Sequence, residues 1–158
     1  MARPDPLSLF LPDDAATERL GRILAAHLRP GDTILLAGTI GAGKTHLARA
    51  LIRARLDAPE DVPSPSFTLV QTYDAPGGAI WHADLYRLSH PDEVAELGLE
   101  AAFDTAICLV EWPDRLGRAT PPGAMTLTLA PEGEGRRATL AGGRPGLMAD
   151  IAADWGRP

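Results

Sequence analysis

One short segment constrains the fold of this chain more than any other feature. The segment is Gly38-Thr39-Ile40-Gly41-Ala42-Gly43-Lys44-Thr45, and it matches the pattern G-x-x-x-x-G-K-[ST] of a phosphate-binding loop. Of the 15 lysine and arginine residues in the 158-residue chain, Lys44 is the only lysine. A compact ammonium can lie between two phosphates as a point charge, where the planar arginine fork does not fit. The segment therefore predicts a phosphate-binding site.

The residues on both sides of this loop have the patterns of a strand and a helix. Thr33-Ile34-Leu35-Leu36-Ala37 is a short apolar run after the turn Arg29-Pro30-Gly31-Asp32, which is typical of a buried strand. After the loop, apolar residues recur at helical spacing, at Leu47, Ala48, Leu51 and Leu56. Backbone N–H groups at the start of such a helix would bind phosphate oxygens, assisted by the helix dipole.

Strand and helix patterns alternate along the chain and predict an α/β protein with one domain over residues 1–158. We expect a P-loop NTPase-like fold of three layers, with a mostly parallel central sheet and antiparallel additions. The predicted strands are Leu7–Leu11, Thr33–Ala37, Phe67–Tyr73, Ala79–Ala83, Ala106–Val110, Met125–Leu129 and Arg136–Leu140. The predicted helices begin at Asp13 or Asp14, after the loop, at Ser89 and after Pro145, and the third ends at Gly98.

Charge and composition exclude several classes of protein. The net charge is −6, and no segment combines arginines with aromatic residues, so we do not expect tight autonomous binding to RNA or DNA. No run of residues approaches the ~18 apolar residues of a membrane span. The lone cysteine, Cys108, can form no intrachain disulfide. These features predict a protein of the reducing cytoplasm.

A phosphate-binding loop of this kind needs a metal ion, because Mg²⁺ bridges the terminal phosphates and offsets charge during transfer. Thr45 supplies one hydroxyl ligand, and a second acid is expected at the end of a buried strand near the loop. Two residues qualify: Glu111 follows the strand Ala106–Val110, and Asp84 follows the strand Ala79–Ala83. The order of the strands in the sheet decides which of the two lies closer to the loop.

The single lysine also bears on the identity of the nucleotide. Guanine-specific proteins read the base with an Asn/Thr-Lys-x-Asp element, and this chain has no second lysine to form one, so we expect ATP. Asp74-Ala75-Pro76-Gly77 matches the D-x-x-G of those proteins, but it lies in a hairpin turn, and we interpret the match as coincidence. Ser64-Pro65-Ser66-Phe67-Thr68 offers hydroxyls to the metal or γ-phosphate, although the same residues are typical of a plain turn.

Taken in order, five segments resemble the TsaE (YjeE) family, the bacterial ATPases of tRNA threonylcarbamoyladenosine synthesis. The segments are the loop at residues 38–45, Ser64–Val70, His82–Leu88, Leu97–Glu100 and Ile107–Trp112. The resemblance runs from about Leu9 to Trp112 and is weaker beyond, and the C-terminal hairpin and helix after about residue 124 are more divergent.

The resemblance implies a set of site residues, ligands and partners. It implies nucleotide contacts from Gly38 through His46 and from Trp112, catalytic roles for Lys44, Asp84 and Glu111, and Mg²⁺ contacts from Thr45, Glu111, Asp84 and Ser66. It further implies ATP hydrolysis that resets a complex with TsaD and TsaB, which modifies the adenosine beside the tRNA anticodon. The family usually has Asp in place of Thr39 and Thr in place of Ser66. No chemical role follows from the sequence for His82, Tyr86 or Arg87.

Two other functions are compatible with the same loop. A small-molecule kinase would need an acceptor pocket and an arginine-bearing lid, for which Arg115 and Arg118 near Gly117 are candidates. A nucleotide-dependent binding module without useful hydrolysis would need the same phosphate and metal ligands as an ATPase.

Overall fold

Strands and helices alternate along most of the chain. The computed structural model describes residues 5–65 and 68–157. The strands are β1 (Leu7–Leu11), β2 (Thr33–Gly38), β3 (Val70–Tyr73), β4 (Ile80–Asp84), β5 (Ile107–Glu111), β6 (Met125–Glu132) and β7 (Gly135–Gly142). The helices are α1 (Asp14–His27), α2 (Lys44–Arg55), α3 (Glu93–Glu96), α4 (Leu99–Thr105) and α5 (Leu147–Trp155), with a 3-10 segment at Pro113–Ala119. None of the helices within these residues has the length and apolar character needed to cross a bilayer.

The seven strands form one sheet in the order β1-β7-β6-β2-β5-β4-β3. The pairs β2–β6, β2–β5 and β4–β5 at the centre are parallel. The pairs β1–β7, β6–β7 and β3–β4 toward the edges are antiparallel. The α/β fold with a parallel centre and antiparallel additions is thereby confirmed, and the carboxyl ends of β2, β4 and β5 meet at one edge, where such sheets bind ligands.

Two apolar clusters cover opposite faces of the sheet and make the three layers. The first cluster packs α1, α2 and α5 on one face and includes Leu51 and Ile151. The second packs α3, α4 and the 3-10 segment on the other face and includes Phe103 and Leu116. Burial of each such side chain stabilises the fold by about 1.5–3 kcal/mol. The central strands are therefore held from both sides, which fixes the positions of the residues at their carboxyl ends.

Helices α1 and α2 cross closely on the face that carries the loop predicted to bind phosphate. A β-carbon at Gly21 would lie 2.8 Å from the Cβ of Ala50, so a larger residue there would push the two helices apart. At the end of α1, the Arg55 guanidinium donates to the carbonyls of Ala25 and Leu28 at 2.8 and 2.9 Å. These bonds satisfy carbonyls that lack helical partners and tie α2 to α1.

The helix predicted from Ser89 to Gly98 is wrong in both its start and its extent. Only Glu93–Glu96 are helical, and a second helix, Leu99–Thr105, follows directly. Gly98 lies between them with φ +78°, a left-handed conformation that breaks the helical hydrogen-bond pattern. The ring of Trp81 lies 3.5 Å from the position that a β-carbon at Gly98 would take. The glycine thus turns the chain beneath the tryptophan instead of ending a single helix.

The strand predicted to begin at Phe67 begins at Val70. Phe67 itself lies outside the described residues, and Leu69 has a left-handed backbone with φ +67°. An extended strand does not continue through a left-handed residue, which is why β3 is short.

Candidate nucleotide and metal site

A cleft of about 360 Å³ opens at the edge of the sheet where β2, β4 and β5 end. Its lining residues are Ile40, Gly41, Ala42, Gly43, Lys44, Thr45, His46, Asp84, Tyr86, Glu111 and Trp112. The predicted residues Gly38 and Thr39 lie just before this lining, at the end of β2 and the start of the loop. The predicted metal ligand Ser66 lies outside the described residues. Apart from these three, every residue predicted to contact nucleotide or metal lines the same cleft.

Two glycines let the loop leave the sheet and enter the helix. A β-carbon at Gly38 would lie 2.5 Å from the carbonyl oxygen of Leu129 on β6, and the φ of Gly38 is +139°. At the other end of the loop, Gly43 has φ +99° and immediately precedes Lys44, the first residue of α2. A side chain at Gly38 would collide with backbone, and both conformations disfavour other residues. The glycines of the sequence pattern are thus explained by close approach and backbone conformation.

Thr45 and Glu111 meet at the centre of the cleft. β5 is the parallel neighbour of β2, with Glu111 in register with Leu36, so Glu111 ends its strand directly beside the loop. The Thr45 hydroxyl donates to Oε1 of Glu111 at 2.8 Å. Because its hydrogen points to the carboxylate, the lone pairs of the hydroxyl remain available to another ligand. The order of the strands therefore places Glu111, rather than Asp84, next to the predicted hydroxyl ligand.

Asp84 lies one strand farther from the loop. It is the last residue of β4 and is in register with Glu111 on β5. Its Oδ1 accepts a hydrogen bond from the backbone N–H of Tyr86 at 3.1 Å, which fixes the orientation of the carboxylate. The residue is buried, and it lines the cleft together with Glu111.

Lys44 is held within the loop. Its Nζ donates to the carbonyl of Gly38 at 2.6 Å and lies 3.6 Å from the ring centroid of Trp112, and only 5% of the residue is exposed. Burial lowers the pKa of Lys44 below its ordinary value, and the carboxylates of Glu111, Asp84 and Asp114 oppose that shift. The ammonium is thus poorly hydrated, and its direct contacts are a backbone carbonyl and an aromatic ring, an environment in which an anionic ligand would be favoured.

Trp112 turns the chain sharply at the end of β5. Its backbone is left-handed, with φ 58° and ψ 55°, which costs about 1–2 kcal/mol for a residue with a side chain. The indole packs between Lys44 and Tyr86, whose ring centroid is 5.0 Å away at an angle of 46°. Backbone strain of this kind concentrates at functional sites, where surrounding packing maintains it.

Two further residues lie at the site, although no role was predicted for them. His82 contacts Glu111, with its Nε2 2.7 Å from Oε2 of the carboxylate. Since side chains two apart on a strand share a face, its spacing from Asp84 is a signal that was available in the sequence. The Arg136 guanidinium lies 3.0 Å from where a β-carbon of Gly43 would be. Only the long-range pairing of β6 and β7 brings Arg136 there, so the local sequence gives no sign of it.

The donors in the cleft fit a Mg²⁺ ion that shares its ligands with a nucleotide. Thr45 and Glu111 present a hydroxyl and a carboxylate 2.8 Å apart, both of which are oxygen ligands. Among residues 5–65 and 68–157, no three His, Cys, Asp or Glu side chains converge to hold a metal alone. Mg²⁺ characteristically uses one or two protein oxygens and completes its shell with water and substrate phosphates. The protein groups therefore suit a metal that arrives with phosphate.

Comparisons with known proteins converge on one family. The family model "Threonylcarbamoyl adenosine biosynthesis protein TsaE" matches residues 11–139. A Rickettsia felis protein named "tRNA threonylcarbamoyladenosine biosynthesis protein TsaE" is 36% identical over 129 residues, which are 82% of this chain and 75% of the relative. A Haemophilus influenzae protein of the same name is 35% identical over 117 residues, 70% of this chain and 73% of the relative. The crystal structure of YdiB from Bacillus subtilis matches with a TM-score of 0.78 and 23% identity, covering 99% of this chain and 100% of YdiB, a likeness that shows the fold alone.

Proposed function

The chain belongs to the TsaE family of threonylcarbamoyl adenosine biosynthesis proteins, and on that premise we propose that it binds ATP with Mg²⁺ in the cleft and hydrolyses it. In this proposal the protein is an accessory subunit of tRNA threonylcarbamoyladenosine modification that works with TsaD and TsaB. Hydrolysis resets the complex of these partners between rounds of modification.

The contact between the Thr45 hydroxyl and the Glu111 carboxylate carries this proposal. At 2.8 Å it joins the last residue of the phosphate-loop pattern to the acid at the end of the neighbouring strand. A hydroxyl that donates to a carboxylate keeps lone pairs free, so the two groups can hold a metal together. A structural turn would need neither the hydroxyl nor a buried acid beside it.

Each charged residue of the cleft has a distinct part in the proposed reaction. The loop N–H groups and Lys44 bind the β- and γ-phosphates, and Lys44 exchanges its bond to Gly38 for them. Thr45 and Glu111 would hold Mg²⁺, which would supply positive charge to offset the charge developing on the phosphates during transfer. Asp84, fixed by its bond from the Tyr86 backbone, orients the attacking water.

Arg115, a candidate for a kinase lid, is bound elsewhere. Its Nη1 donates to the carbonyl of Leu88 at 3.1 Å, which ties the 3-10 segment to the loop after β4. An arginine in this position braces two segments of backbone. This observation gives no support to the alternative of a small-molecule kinase.

Substitutions at Thr45 test the proposal with a matched pair. Thr45→Val removes the hydroxyl and keeps the shape of the side chain, whereas Thr45→Ser keeps the hydroxyl. We expect ATP hydrolysis, measured with TsaD and TsaB present, to be lost in Thr45→Val and retained in Thr45→Ser. ATP hydrolysis by Thr45→Val at the wild-type rate would refute the assignment of the metal site.

A pull-down with TsaD and TsaB, with and without ATP, tests the accessory role. We expect the wild-type protein to join the two partners in an ATP-dependent manner and to hydrolyse ATP in the assembled complex. Assembly that requires ATP but shows no cleavage in a single-turnover assay would instead identify a nucleotide-dependent binding module. Transfer of labelled γ-phosphate to a metabolite, without the partners, would identify a kinase.

A further inference from the structure

His82 is a buried polar residue, and its one side-chain hydrogen bond within the described part of the chain joins it to the acid of the proposed metal site. Its Nε2 lies 2.7 Å from Oε2 of Glu111, and the two side chains are 0% and 3% exposed. No other atom within the described part of the chain contacts its Nδ1 by a hydrogen bond. With Nδ1 unpartnered, the hydrogen belongs on Nε2, where it is donated to the carboxylate.

The two oxygens of Glu111 are thereby divided between two donors. Oε2 accepts from His82 and Oε1 accepts from Thr45 at 2.8 Å. The histidine lies on β4 beneath Asp84, since residues two apart on a strand share a face. It approaches Glu111 from the interior of the sheet, while Thr45 approaches from the cleft. His82 therefore holds Oε2 of the carboxylate on the interior side, and Oε1 is directed toward the loop.

We infer that His82 is a positioning residue for the metal site: it fixes the Glu111 carboxylate so that Oε1 and the Thr45 hydroxyl together face the Mg²⁺ position. This inference rests on the proposed function, because it requires that Glu111 and Thr45 hold a metal. Hydrogen bonds to a ligating carboxylate restrict its rotation, and losing such a partner typically weakens metal affinity about 10- to 100-fold.

Packing alone gives a poorer account of His82. An apolar side chain would fill the same volume without bringing unsatisfied nitrogen into the interior, where a polar atom without a partner is costly. In His82 this unfavourable burial falls on Nδ1, which has no hydrogen-bond partner among the described residues. Among residues 5–65 and 68–157, its one compensating bond is the one to Glu111. The residue is thus best explained by what it does to the carboxylate.

The experiment measures metal affinity separately from nucleotide affinity. A fluorescent ADP analogue, mant-ADP, is first bound to the full-length protein in EDTA, and Mg²⁺ is then titrated into the complex in metal-depleted buffer. The Mg²⁺ midpoint is the Mg²⁺ concentration that gives half of the change in mant fluorescence. For His82→Leu we expect this midpoint to rise about tenfold or more. The affinity for mant-ADP in EDTA should stay within about twofold of wild type. A role only in packing would not weaken Mg²⁺ binding selectively.

Two conservative variants keep the test decisive if His82→Leu folds poorly. The Gln amide reaches the position of Nε2, whereas the shorter Asn amide reaches only the position of Nδ1. We expect His82→Gln to restore the Mg²⁺ midpoint to within about threefold of wild type and His82→Asn to remain weakened. Equal Mg²⁺ midpoints for the Gln and Asn variants would overturn the inference.

A matched control uses another histidine–carboxylate contact of the fold, one of similar length. His27 lies 2.6 Å from Asp154, between α1 and α5 and away from the cleft. His27→Leu should lower thermal stability and leave the Mg²⁺ midpoint unchanged. In a Glu111→Ala background, His82→Leu should change the midpoint by no more than about twofold, because the group it positions is gone.

The outcomes separate the two claims. If Mg²⁺ does not affect mant-ADP binding in the wild-type protein, the proposed metal site fails and this inference falls with it. If Mg²⁺ affects the wild type and His82→Leu equally, the proposed function stands and the positioning role of His82 is overturned.

Discussion

Replacing Lys44 with methionine separates what this residue contributes to ligand binding from what it costs the fold. Methionine has a similar length and removes the charge. The Lys44 ammonium donates to the Gly38 carbonyl and lies against the Trp112 ring, and it must leave these partners to reach phosphate. The variant therefore loses the contact that the ammonium would make with phosphate. It also lacks the charged group that is buried in the free protein.

The expected loss of nucleotide affinity follows from the contacts that are exchanged. A hydrogen bond to a charged group contributes about 1.5–3 kcal/mol. Since 1.4 kcal/mol corresponds to a factor of ten, binding should weaken roughly 10- to 150-fold. Part of the gain is spent on breaking the 2.6 Å bond between Lys44 and Gly38, which places the expected effect toward the lower end.

The free variant should be no less stable than the wild type. Burial lowers the pKa of Lys44 below 10.5, so its charged form is less favourable in the folded chain than in the unfolded one. Between the lowered folded pKa and 10.5, the unfolded chain holds a proton that the folded chain has released. Wild-type stability therefore gains relative to Lys44→Met as pH rises through that interval, and the difference is constant below it.

Two measurements check this reasoning, with Lys44→Arg as a charge-retaining control. Thermal unfolding of the free proteins across alkaline pH gives the stability difference, and titration with mant-ADP gives affinity. Lys44→Arg should also bind weakly, because a guanidinium does not fit in place of the ammonium. Nucleotide affinity of Lys44→Met within twofold of wild type, or wild-type stability that falls relative to Lys44→Met as pH rises, would refute this reasoning.

Three further predictions concern the acid, the hairpin and the cysteine. Glu111→Gln should raise the Mg²⁺ midpoint about tenfold or more while preserving mant-ADP binding in EDTA, because it removes a ligand charge and keeps the shape. Gly135→Ala should destabilise the fold by about 1–3 kcal/mol in denaturant titrations, since its β-carbon would lie 2.5 Å from the Leu11 carbonyl oxygen. The control Gly123→Ala, which meets no described atom within 4 Å, should stay within about 0.5 kcal/mol of wild type. Burial raises the pKa of Cys108 to about 12, so Ellman's reagent should react with it only after unfolding.

The sequence predicted the parts of the site that depend on local order along the chain. The loop pattern between an apolar run and a helical stripe identified the strand, the loop and the helix, because each is built from neighbouring residues. Asp84 and Glu111 could be identified as strand-end acids for the same reason. Which of the two acids lies beside Thr45 could not be predicted, since that depends on β5 lying between β2 and β4 in the sheet.

Long-range pairing and backbone conformation account for what the sequence did not show. The contact of His82 with Glu111 joins two strands, and the approach of Arg136 to Gly43 requires β7 to pair with β6. The false helix ending at Gly98 has a local cause. Gly98 follows the end of α3 and precedes α4, and its left-handed conformation divides the single helix that was predicted.

As the only lysine of the chain, Lys44 also makes the cleft suited to selective amine chemistry. Apart from the α-amino group, an acylating reagent has one primary amine to modify, and that amine lines the phosphate loop. Because its pKa is lowered, a larger share of Lys44 is the nucleophilic free base in mildly alkaline solution than for an exposed lysine. The mass of one acyl group on one peptide would thus record whether the cleft was filled.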